Sequence, residues 1–119
     1  MKNEIMWWMS RLTIMLTSLF LSATLAAKAY AAEIQMGYEG NLVFEPNELT
    51  VNAGDTVTFV NNALPPHNII VDGRSDLSRE SLMFIPVETQ ENVFAYKRDF
   101  NFKCAPHEGA GMKGVIHVE

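Results

Sequence analysis

The sequence predicts an all-β fold, a single-domain Greek-key β-sandwich. Three observations carry that prediction. Short runs rich in valine, isoleucine, phenylalanine and threonine recur at close intervals through residues 32–119. Turn signals such as Asn52-Ala53-Gly54-Asp55 and Asp72-Gly73 separate them. Thr56-Val57-Thr58-Phe59-Val60 alternates with period two, as a strand with one buried face does. Many short strands at this spacing belong to antiparallel sandwiches.

Taken in order, residues 34–36 and 42–44 read as short strands interrupted by Gly37 and Gly40. Glu48–Val51 and residues 56–60 flank the Asn-Ala-Gly-Asp turn. His67–Val71 is a strand ended by Asp72-Gly73. Residues 75–83 are the one place a short helical turn fits, with Ser78 able to cap it. Residues 92–96 and 100–103 read as a hairpin, and residues 114–118 as the closing strand.

Residues 1–31 stand apart from this pattern and read as a secretory signal. Lys2 and Arg11 precede an apolar run over residues 12–25, and Ala29-Tyr30-Ala31 places small residues where a signal peptidase reads. Cleavage is expected after Ala31. The apolar run is too short to favour a membrane span, and an uncleaved anchor is the alternative. The remaining 88 residues, 32–119, are enough for one domain with one core.

That domain is acidic. Six lysines and arginines stand against 13 acids, a formal charge of −7. Phosphates would repel it, so nucleic acid is a poor partner. Scattered acids otherwise indicate a solvated surface; a monomer is expected, with no stable membrane insertion after processing. The lone cysteine, Cys104, excludes a disulfide scaffold and a c-type haem attachment. In an exported chain an unpaired thiol pairs between molecules, reacts, or is shielded by a metal.

Metal shielding also accounts for its neighbours. Cys104-Ala105-Pro106-His107-Glu108-Gly109-Ala110-Gly111-Met112 puts a histidine three residues and a methionine eight residues past the thiol. His67, in Pro65-Pro66-His67-Asn68, lies 37 residues upstream of it. One thiolate, two imidazoles and a weak thioether form the ligand set of a blue-copper electron-transfer site. In that reading Cys104, His67 and His107 lie around one copper ion and Met112 approaches from the axis. Gly109, Ala110 and Gly111 let the loop bend, and Pro106 and Pro66 restrict the backbone ahead of each histidine. Asn68 and Pro66 support the ligands, Asn68 through a hydrogen bond joining the two ligand segments.

Each of these residue types has an ordinary role too. A lone histidine, methionine or cysteine is usually structural, and His117, Met36 and Met83 are read that way. Zinc accepts Cys and His but gains little from a thioether. A Cys–His nucleophile leaves Met112 unexplained and lacks an evident orienting acid, so an enzyme is not expected. A copper carrier without redox duty remains an alternative.

Leu42-Val43-Phe44-Glu45-Pro46, then Leu49 through Val57, then Asn61 through Asn68, and finally Cys104 through Met112 resemble the plastocyanins of the cupredoxin superfamily. The resemblance implies His67, Cys104, His107 and Met112 as copper ligands. It implies single-electron transfer from cytochrome f to photosystem I in the thylakoid lumen, in a cyanobacterial setting. It also implies an apolar docking patch around the His107 edge, made of Leu42, Ala63, Leu64, Pro65, Pro66, Gly109 and Ala110 with Glu108 beside it. Lys103 stands where plastocyanins usually carry tyrosine, Phe100 replaces another tyrosine, and Arg98 a glycine. Glu108 occupies a place where many cyanobacterial relatives carry arginine. A periplasmic carrier serving a different redox enzyme is therefore the alternative to the photosynthetic role.

Overall fold

Residues 31–119 are described by a computed structural model. The expected signal segment lies outside the described residues apart from Ala31, which opens the first strand. Nine strands are present among the described residues: β1 Ala31–Met36, β2 Phe44–Glu45, β3 Glu48–Val51, β4 Asp55–Asn61, β5 His67–Val71, β6 Arg79–Met83, β7 Thr89–Phe94, β8 Asp99–Lys103 and β9 Lys113–Val118. They form a four-stranded sheet of order β2-β1-β4-β7 and a five-stranded sheet of order β3-β9-β8-β5-β6.

Strand β4 shows why these residues form a sandwich. Its inward positions Asp55, Val57, Phe59 and Asn61 are buried, while the intervening residues are partly exposed. Val57 and Phe59 are β-branched or aromatic, the types that suit a pleated, half-buried surface. Phe44 and Phe59 from one sheet meet Phe102 from the other edge-on, with ring centroids 4.8 and 5.5 Å from Phe102. Gly114 on β9 makes room for that cluster, because a Cβ there would lie 2.5 Å from the Phe102 ring and 2.3 Å from the Asn47 carbonyl. Overpacking of this kind is what a close-packed core least tolerates.

Four expectations are corrected. The sheets are mixed: β1 pairs with β4 and β3 with β9 in parallel, while the other pairings are antiparallel. Strands β7 and β8 are not a hairpin. Strand β7 pairs with β4 and β8 with β5 and β9, so residues 95–98 carry the chain between sheets. Phe94 and Phe100 then meet across the core at 5.1 Å. The helical turn over residues 75–83 shrinks to a 3-10 turn, Ser75–Leu77, followed by strand β6. Ser78 caps no helix; its hydroxyl accepts from the Val71 N–H at 2.9 Å and donates to the Arg74 carbonyl at 2.8 Å.

Candidate metal centre

The three donors come from two segments at one end of the sandwich. His67 opens β5, where a register shift interrupts the pairing with β6 between His67 and Ile69. A bulge re-aims side chains, and here His67, Asn68 and Ile69 are all buried in succession. Cys104 directly follows β8 and leads into a 3-10 segment, Ala105–Ala110, that carries His107. The His107 N–H donates to the Cys104 carbonyl at 3.1 Å, and the Cys104 N–H donates to the Met112 carbonyl at 3.0 Å. Gly111 takes φ +88°, a left-handed conformation that turns the chain back toward Met112.

Side chains converge accordingly. Cys104 Sγ lies 3.3 Å from His107 Nδ1 and 3.8 Å from His67 Nδ1, and the two Nδ1 atoms are 3.2 Å apart. The triangle has room for a point about 2.0 Å from each nitrogen and about 2.3 Å from the sulfur, the lengths of metal bonds to imidazole and to thiolate. The hole fits one metal ion. Among the described residues this is the one group of three such donors close enough to share an ion. Cys104, His67 and Met112 are fully buried, whereas the His107 ring is partly exposed. Met112 joins the site through its backbone, its N–H donating to the His107 carbonyl at 3.2 Å.

Electrostatics follow from burial. Removal from water pushes the Cys104 thiol above its ordinary range, opposed by hydrogen bonds from the Asn68 and His107 backbone. Burial likewise lowers the His67 imidazole, and the nearby His107 lowers it further, while the Ala63 carbonyl acts in the other direction. Asn68 lies between the two ligand segments. Its N–H points at Cys104 Sγ at 3.5 Å, its Oδ1 accepts from the Ala105 N–H at 2.8 Å, and its Nδ2 donates to the Glu80 carbonyl at 3.0 Å.

A family profile described as "Copper binding proteins, plastocyanin/azurin family" matches residues 31–119. The chain belongs to that family. It is 42% identical over 106 residues to the chloroplastic plastocyanin of Oryza sativa subsp. indica, covering 82% of this chain and 69% of that one. Against the plastocyanin of Nostoc punctiforme it is 37% identical over 123 residues, covering 91% of this chain and 88% of the other. The oxidised plastocyanin of Dryopteris crassirhizoma superposes with a TM-score of 0.68 at 27% identity, over 74% of this chain and all of its own. Amicyanin of Paracoccus versutus shares the fold, with a TM-score of 0.61 at 23% identity over 79% of this chain and 86% of its own. With this cupredoxin fold and donor group, the family member is a blue-copper electron carrier that binds one copper ion.

The residues expected at a docking patch divide by exposure. Leu64, Pro65, Gly109, Ala110 and Glu108 are exposed, Ala63 and Pro66 partly so, and Leu42 packs against the core. Leu64 is 60% exposed, a large apolar side chain left in water close to the His67 segment. Glu108 pairs with Lys103 at 3.2 Å, which neutralises both charges on that flank. Sequence reasoning missed Gly37, whose backbone lies against the His67 ring. A glycine ending an apolar run was its sole signal. It also missed the Glu80 carbonyl, because strand β6 went unread.

Proposed function

We propose that His67, Cys104 and His107 hold copper through Nδ1, Sγ and Nδ1, with Met112 as the weak fourth ligand, and that the protein carries single electrons between cytochrome f and photosystem I. The convergence of one sulfur and two Nδ1 atoms on a metal-sized hole carries this reading. Copper, when bound, supplies a one-electron couple between its cuprous and cupric forms. The chain does the rest. Cys104 gives up its thiol proton on metal uptake, since a coordinating thiol is deprotonated outright. Asn68 and Ala105 lock the two ligand segments together, so the donors hold one arrangement in both oxidation states.

Partly exposed His107, on the same segment as exposed Pro106, Gly109 and Ala110, is the edge through which the electron leaves. A small apolar face of this kind suits a brief encounter. The protein is a monomer and forms no covalent bond with a substrate, so it is not an enzyme. The export signal, cleaved after Ala31, delivers it to a thylakoid lumen or periplasm. Among the described residues no helix is long and apolar enough to cross a membrane. Lys103, standing where plastocyanins usually carry a tyrosine, pairs with Glu108, and this favours a second reading in which a different periplasmic redox enzyme is the partner.

The test is X-ray absorption and visible spectroscopy of copper-loaded protein. A sulfur-to-copper bond and an intense, reversibly bleached blue band are expected, and Cys104→Ser abolishes the colour. Met112→Gln is expected to keep copper but lower the reduction potential, because a harder oxygen donor in place of the thioether would favour the cupric form. Holoprotein without a copper–sulfur bond sinks the ligand assignment. An unchanged potential removes Met112 from the ligand set.

A further inference from the structure

The face of the His67 ring turned away from Cys104 and His107 is also buried, and it carries Nε2. The ring's backbone partner is the Ala63 carbonyl, and Nε2 makes no other hydrogen bond among the described residues. Opposite it stands Gly37. A Cβ built on Gly37 would lie 2.7 Å from His67 Nε2, 3.3 Å from His67 Cδ2 and 3.0 Å from the Ala63 carbonyl oxygen. Side chains do not approach so closely, so the ring's outer edge occupies the space that any other residue at 37 would fill.

Gly37 has φ +74°, which by itself favours glycine. Gly40, at the end of the adjoining 3-10 turn, has nearly the same conformation, φ +78°, yet a Cβ there would meet nothing within 4 Å. The pair separates the two demands on a glycine. Both positions need a left-handed backbone; only Gly37 also needs empty space, and the atoms in front of it belong to His67 and Ala63.

We propose that Gly37 is a positioning residue for the metal centre. Its bare Cα is the back wall of the His67 ring and sets how far Nδ1 stands from Cys104 Sγ and His107 Nδ1. This inference rests on His67 being a copper ligand. The His67 backbone is held in place, because it pairs with Met83 on β6 and Asn68 accepts from the Ala105 N–H, so it is the ring that must give way. A methyl group at 37 therefore drives the imidazole toward the other two donors or tips it out of their plane. Either response alters a ligand whose constancy the electron transfer depends on.

Gly37→Ala and Gly40→Ala, each examined metal-free and copper-loaded, test this. Both variants carry the strain of a left-handed alanine. Gly37→Ala alone is expected to shift the sulfur-to-copper absorption band and the cupric hyperfine splitting, and to weaken copper binding about 10- to 100-fold. In the metal-free protein it alone moves the ring resonances of His67. Parent-like spectra and affinity in Gly37→Ala, or equal changes in both variants, overturn the proposal. Should Gly37→Ala fail to fold, His67→Gly is added to it. Recovery to the stability of Gly40→Ala in the same His67→Gly background supports the ring as the obstacle, and continued failure overturns it. A parent protein lacking the sulfur-to-copper band overturns both this inference and the ligand assignment. A normal parent with an indifferent Gly37→Ala overturns this inference alone.

Discussion

Asn68 makes hydrogen bonds to both sides of the metal centre, one to the Ala105 N–H beside Cys104 and one to the Glu80 carbonyl on β6. Replacing it by alanine leaves both backbone groups without their partner, and such losses cost about 1–3 kcal/mol. Asn68→Ala is expected to destabilise the metal-free protein by that amount in urea unfolding and to speed copper loss. Unchanged stability and release would show that water replaces the side chain. Asparagine directly after a histidine was legible in the sequence as a tie between the ligand segments. Its second partner was not. Glu80 reaches it through a backbone atom, and a carbonyl has no sequence signature. Gly37 illustrates the same limit, since what it touches depends on a ring 30 positions along the chain.

At the scale of elements, His117 joins three strands. From β9 it reaches Asp99 on β8 through Nδ1 and Glu48 on β3 through Nε2, both at 2.7 Å. The hydrogen bonds to Asp99 and Glu48 raise its pKa above the ordinary imidazole value of 6.5. A raised folded-state value means that the charged ring favours the native state. That contribution is complete below about pH 6.5 and is lost as pH rises through the higher folded value. Thermal melts should show wild type exceeding His117→Gln in acid and losing that margin in mild alkali. The difference should shrink with salt, because ring and carboxylates are partly exposed. A pH-independent margin would reduce the contact to packing. Strand β6 was unreadable for a physical reason. Arg79, Glu80, Ser81 and Leu82 lie at a sheet edge with little buried surface, so no alternation was selected. The β7–β8 hairpin was misread because two adjacent strands in sequence fit either one sheet or opposite sheets.

For the whole molecule, the −7 charge of residues 32–119 and the partly apolar copper end act at different ranges. Charge steers approach over about a Debye length, about 10 Å at 0.1 M salt, while the apolar patch acts on contact. Glu108 lies within the ligand loop, and its pairing with Lys103 makes that flank neutral. Glu108→Arg places a second cation beside Lys103 and removes the pair. Stopped-flow association with cytochrome f and with photosystem I should then change mainly in rate, with a new dependence on ionic strength. If the rates with every candidate partner ignore both the substitution and the salt, docking lies elsewhere on the surface.

Residue types and their spacing alone identified a β-sandwich and a blue-copper donor set in an acidic domain, and raised the expectation of export. Those are local properties, set by alternation, turn chemistry and the affinity of thiolate and imidazole for copper. The folded chain decided the rest: which strands run parallel, that β7 and β8 part to opposite sheets, and that Gly37 and Gly114 must be bare. These depend on contacts between residues distant in sequence. Whether a glycine stands before open water or against a ligand ring is a fact of three-dimensional packing.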